Sequence, residues 1–150
     1  MPGATWNYER LPARYELHFR ACSPQARAPR IGMEEAADET LLYLSVLTLG
    51  EIRKGVAALV QGKHRTRLET WLEVDLQGRF FGRIIPIDSA IANRWSLLAA
   101  EAKRKGNALS VIDGLLAATA LQHNLTVVSR NAGDFTNTQV QVLNPWQASA

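Results

Sequence analysis

Three carboxylates, Glu51, Asp113 and Asp134, fall where the sequence pattern places the carboxyl ends of strands or the helices beside them. Oxygen donors without a companion His or Cys suit a hard divalent cation, Mg2+ or Mn2+, which keeps several waters. An ion held this way can activate a water and stabilise a displaced phosphate oxygen, which is the chemistry of phosphodiester hydrolysis. Two of the carboxylates also have a plainer role open to them. Thr48-Leu49-Gly50-Glu51 fits the S/T-x-x-E capping box, in which Glu51 only bonds a backbone N–H. Asp134 lies in the loop "RNAGDF", where aspartate is a common turn former. Asp113 resists such a reading, because it interrupts the apolar run "VIDGLLAATA" with Leu109, Leu116 and Ala117 as helical neighbours. An isolated buried charge costs on the order of several kcal/mol or is neutralised. A metal ion or cationic partner would remove that cost, and Gly114 leaves room for a ligand to approach. Arg130 and Asn131 follow the same strand as Asp134, where they can present a phosphate-binding cation and a polar group to substrate.

The elements that must position these groups follow from periodicity. "TLLYLSV" reads as a strand ending near Ser45, and "LTLGEIRKGVAALVQG" as an amphipathic helix with Leu49, Ile52, Val56 and Leu59 on one face. "RTRLETWLEVDLQGRF" is a second helix, aligning Leu68, Leu72 and Leu76 with Trp71. "RIIPID" is a compact strand, after which Asp88 caps the helix "SAIANRWSLLAAEAKRKG" and Gly106 closes it. A third, almost wholly apolar helix covers "LSVIDGLLAATALQHN". "LTVVS" and "VQVLN" are the last strands. Strands alternating with helices predict an α/β fold, a three-layer α/β/α sandwich around a central parallel sheet. Ligands of such sheets gather at the carboxyl ends of the strands.

Composition narrows the function classes. The chain of 150 residues has one domain's worth of core, and its single cysteine, Cys22, excludes an internal disulfide. His18, His64 and His123 are scattered, so no Cys/His zinc site is expected. With no signal peptide and no long apolar run, the cytoplasm is the expected compartment. The net charge of +3 is compatible with a polyanionic partner and selects none.

"LYLSVLTLGEIRKGV", "RIIPIDSAIANRW", "DGLLAATALQHNLTVVSRNAGDF" and "LNPW", in this order and spacing, resemble the PIN-domain ribonucleases of the VapC/FitB toxin type. The likeness runs from about Glu34 to Trp146. It implies a Mg2+- or Mn2+-dependent endoribonuclease, the toxin of a type II toxin–antitoxin system. It further implies RNA as substrate, a cognate antitoxin as partner and a homodimer. By this resemblance Glu51, Asp113 and Asp134 match the second, third and fourth acidic positions, as catalytic and metal-holding residues. Arg130 and Asn131 match the segment that supports substrate. The resemblance leaves open a second role, a non-catalytic PIN remnant that binds an antitoxin or another protein.

The resemblance fails at the start. The family opens with a strand of the form "LLDTN" whose aspartate is a metal ligand, and nothing before Glu34 supplies one. Residues 1–33 therefore read as an atypical segment, expected to be poorly ordered or to form incidental helix around "YELHF". Residues 34–150 read as the PIN-like domain. The genetic code offers an origin for the anomaly. Reading the codons of Leu11 to Met33 one nucleotide downstream, with free choice of third bases, permits "YLLDTNFISELVRPKPEPRVLEW". The junction of Tyr8 and Glu9 permits ATG, and that of Met33 and Glu34 forces TGG, tryptophan. The segment thus reads as a PIN N-terminus translated in the wrong frame. A chain without the first acid is expected to be catalytically weakened. Sequencing the gene tests this origin: the shifted frame is expected to spell Asp-Thr-Asn across Arg14 to Leu17, and codons that do not spell it would end the idea.

Overall fold

In the computed structural model, residues 21–24, 42–129 and 131–144 are described. Apart from residues 21–24, the expectations of disorder over 1–33 and of helix at "YELHF" lie outside the described residues. The five strands are β1 (Ala21–Pro24), β2 (Tyr43–Ser45), β3 (Ile84–Ile85), β4 (Leu125–Val128) and β5 (Val142–Leu143). They form one sheet in the order β3-β2-β1-β4-β5. β2 pairs parallel with β3 and β4 with β5, whereas β1 runs antiparallel to both β2 and β4.

This corrects the expectation of a parallel sheet without its first strand. The central slot is filled, by four residues that run against their neighbours. "ACSP" carries no strand period, so nothing local announces it. What recruits it is the slot itself, because the inner edges of β2 and β4 carry backbone groups that cannot stay buried and unpaired.

Helices cover both faces. Helix α1 (Val46–Ala57) starts directly after β2, and Ser45 caps it by accepting the Leu47 N–H at 3.1 Å. Its Ile52 and Val56 are buried, with Leu49 and Leu59 packed beside them, as the spacing predicts. Helix α2 (Lys63–Thr70) passes through a π-helical stretch (Trp71–Leu76) into the short helix α3 (Gln77–Arg79). Where one regular helix was expected, the π stretch re-aims the chain. Leu68, Leu72 and Leu76 still reach the same core, and Glu73 pairs with Arg53 of α1. The expected strand "RIIPID" shrinks to Ile84–Ile85, since Pro86 has no N–H for the ladder. Arg83 donates to the Leu42 carbonyl at 2.6 Å and lies 4.9 Å over the Phe80 ring, joining the entry of β3 to that of β2.

Helix α4 (Ser89–Arg104) is capped as expected, with the Asp88 carboxylate accepting the Ile91 N–H at 2.9 Å. Gly106, at φ 70°, closes it while the Asn107 N–H returns to the Ala102 carbonyl. Helix α5 (Val111–Gln122) is joined to β4 by a tight turn at His123 and Asn124 and packs on that strand. One face of the sheet, with Leu42, Leu44 and Val128, packs on α1 and α2. The other, with Cys22, Ile85 and Val127, packs on Ile91 of α4 and on Leu116 and Ala117 of α5. The three layers of an α/β/α sandwich result. Among the described residues, no helix is long and apolar enough to cross a membrane.

Gly114 sets the fit of α4 against α5. A Cβ there would stand 2.9 Å from Trp95 Cδ1 and 3.0 Å from its Nε1. Overpacking of this kind costs about 1–3 kcal/mol. Gly114→Ala is expected to lower Tm by roughly 3–10 °C in thermal unfolding; an unchanged Tm would contradict the packing role.

Candidate active site

The chain directions bring the sequence-predicted residues to one edge of the sheet. α1 springs from the end of β2, so Glu51 lies one to two turns beyond that strand's carboxyl end. α5 runs back along β4, so its first turn, with Asp113, returns to the end where β4 finishes. Ser129 follows β4, and the chain then enters a 3-10 turn (Ala132–Phe135) that carries Asp134 and touches α5. Glu51 and Asp113 are half-buried, whereas Asn131 and Asp134 are exposed. Arg130 lies outside the described residues.

Two expectations about these residues change. Glu51 is not a capping-box residue of α1, because the helix starts at Val46 under the Ser45 cap and Thr48 is already inside it. β2 is only three residues long, and its end places the cap earlier than the T-x-x-E pattern suggests. Asp113 is not deep in an apolar helix. It is the third residue of α5, where the Ser110 hydroxyl accepts its N–H at 3.1 Å. Ser110-x-x-Asp113 thus occupies the positions of a capping box, and the positive end of the helix favours a carboxylate there. The charge is tolerated by position as well as by any ligand. The room beside it, assigned to a ligand on account of Gly114, is taken by the Trp95 indole.

Three residues escaped sequence reasoning: the two buried serines at the strand ends, Ser45 and Ser129, and the cap Ser110. Ser45 and Ser129 are each 1% exposed. Each accepts a backbone N–H two residues on, from Leu47 and from Asn131, both at 3.1 Å. Only Ser110 had a signal, a serine three residues ahead of an acid at the start of an apolar run.

The donor set is all oxygen, which is the chemistry Mg2+ or Mn2+ requires. The arrangement falls short of a site. Among the described residues, no three His, Cys, Asp or Glu side chains gather so as to hold a metal ion. β1 contributes no carboxylate, and because it runs backwards its first residue, not its last, stands at this edge. The described residues therefore do not fit a preformed divalent-metal centre, and no step is derived through one.

Comparison with known proteins places these features. The sequence pattern of the PIN domain matches residues 26–140. Toxin FitB of Neisseria gonorrhoeae is 42% identical over 105 residues, covering 70% of this chain and 76% of that protein. VapC ribonuclease Y4jK of Sinorhizobium fredii is 36% identical over 106 residues, covering 71% and 76%. The solved structure of FitAB bound to an IR36 DNA fragment superposes with a TM-score of 0.70 at 35% identity, covering 83% of this chain and 90% of that one. The likeness in sequence and in three-layer fold agrees with the acids ranged along one strand edge: the chain belongs to the PIN domain family.

Proposed function

We propose that this protein is the toxin component of a type II toxin–antitoxin pair, built as an endoribonuclease that hydrolyses RNA phosphodiester bonds. The observation that carries the reading is the 42% identity to Toxin FitB across the elements that range Glu51, Asp113 and Asp134 along one sheet edge. The relatives' names, a toxin and a ribonuclease, supply the activity class. Mg2+ or Mn2+ is the proposed cofactor, with Glu51, Asp113 and Asp134 as its ligands. Hydrolysis in the chain as it stands is weakened, because the central strand brings no carboxylate to that edge. Arg130 and Asn131 are proposed to hold the RNA backbone. An antitoxin is the proposed partner, supported by neighbours solved as FitAB and VapBC complexes, and a homodimer is the proposed assembly.

A second reading rests on the absence of a three-ligand group among the described residues: a remnant that binds its antitoxin and cleaves nothing. One experiment separates the two. Purified protein is incubated with a mixed RNA substrate in Mg2+, in Mn2+ and in chelator, beside its Asp113→Ala variant. Cation-dependent cleavage roughly 100-fold below that of a PIN relative with all its acids, and lost in Asp113→Ala, is expected. No cleavage at all, with a small DNA-binding protein co-purifying, supports the remnant. Robust cleavage overturns the weakening and keeps the class.

A further inference from the structure

The four other strands share one direction, and β1 alone opposes them. β1 is also poorly made for a central slot. Pro24, opposite Leu125, has no N–H to give to a ladder. Pairing with β2 covers two residues, Ala21 with Leu44 and Cys22 with Tyr43. Strands buried on both faces of a parallel sheet are continuous apolar runs, and Ala-Cys-Ser-Pro is not one.

The carboxylate edge of the slot is marked by two serines. Leu44 and Val128 both pair with Ala21, so Ser45 and Ser129 flank the position one step beyond it. Both hydroxyls accept a backbone N–H, and among the described residues neither gives its own hydrogen to an acceptor. Buried polar groups in folded proteins are nearly always satisfied. Two buried donors on either side of one position call for an acceptor between them. Laterally paired residues share a face. Ser45 pairs with Ile85, which packs in the core of α5, the helix that carries Asp113.

We infer that the central slot is built for another occupant, an apolar strand parallel to β2 and β4 whose carboxylate ends between Ser45 and Ser129, and that Ala21–Pro24 is a displaceable stand-in. The occupant is the shifted-frame text of this chain, Tyr-Leu-Leu-Asp-Thr-Asn. With its aspartate level with the two serines, one leucine falls level with Leu44 and Val128 in the α1 core. The other falls level with Tyr43 and Val127 in the α5 core. The family pattern begins to match at residue 26, beyond β1.

The inference does not rest on RNA hydrolysis, and its test reads stability. In the chain as it exists, Cys22 is the only thiol, and it is buried in the slot. Its alkylation at about pH 8 is expected to run at least about tenfold faster than global unfolding, through local opening of β1. Alkylation no faster than global unfolding would overturn the inference. A second protein replaces residues 11–33 by the shifted-frame text. Its Tm is expected to rise by at least about 5 °C, and changing the new aspartate to alanine should remove part of the gain. No rise, or a rise indifferent to that aspartate, would also overturn it. A rise without any RNA cleavage in Mg2+ would leave the inference standing and sink the proposed function.

Discussion

Backbone pairing at the centre of the sheet is the constraint on which the molecule depends. β2 and β4 stand on either side of one slot, and their inner N–H and C=O groups must be paired once helices close over both faces. Residues in the slot hold both cores together, since Ala21 lies level with Leu44 and Val128 on one face and Cys22 with Tyr43 and Val127 on the other. The site edge is built from the same strands. Ser45 ends β2 and opens α1, and Ser129 ends β4 and leads to Asn131 and Asp134. The burial of Cys22 shows how closed the slot is, for desolvation pushes its thiol from 9.0 up to about 12.

Much of this was legible in the sequence because it is local. The face of α1, the Asp88 cap and the glycine stop at Gly106 each depend on residues within a turn or two. The capping of α1 was misread because T-x-x-E is satisfied by composition alone, while the true cap depends on where a three-residue strand stops. Asp113 was read as buried for a similar reason. An apolar run gives the period of a helix and not its first residue, and two positions decide between the interior and the first turn. β1 could not be read at all, since its pairing is non-local and its residues carry no period.

The carboxylates illustrate the difference between ranging acids along an edge and joining them. The order of strands and helices brings Glu51, Asp113 and Asp134 to the same end of the sheet. Convergence within ligand distance needs a group in the middle, and the strand in the middle brings only Ala, Cys, Ser and Pro. Fold and site are therefore separable in this chain. Pairing of any extended segment satisfies the first, whereas the second requires one side chain, on one strand, in one direction.

The Trp95 indole against Gly114 has a consequence for how related sequences should be compared. A glycine next to an acid at the mouth of a site invites the conclusion that selection keeps it for the reaction. In this protein the close approach of two helices is enough to keep it. Invariance at that position across relatives would report the width of a helix–helix seam, and it would persist in lineages that had lost the chemistry beside it.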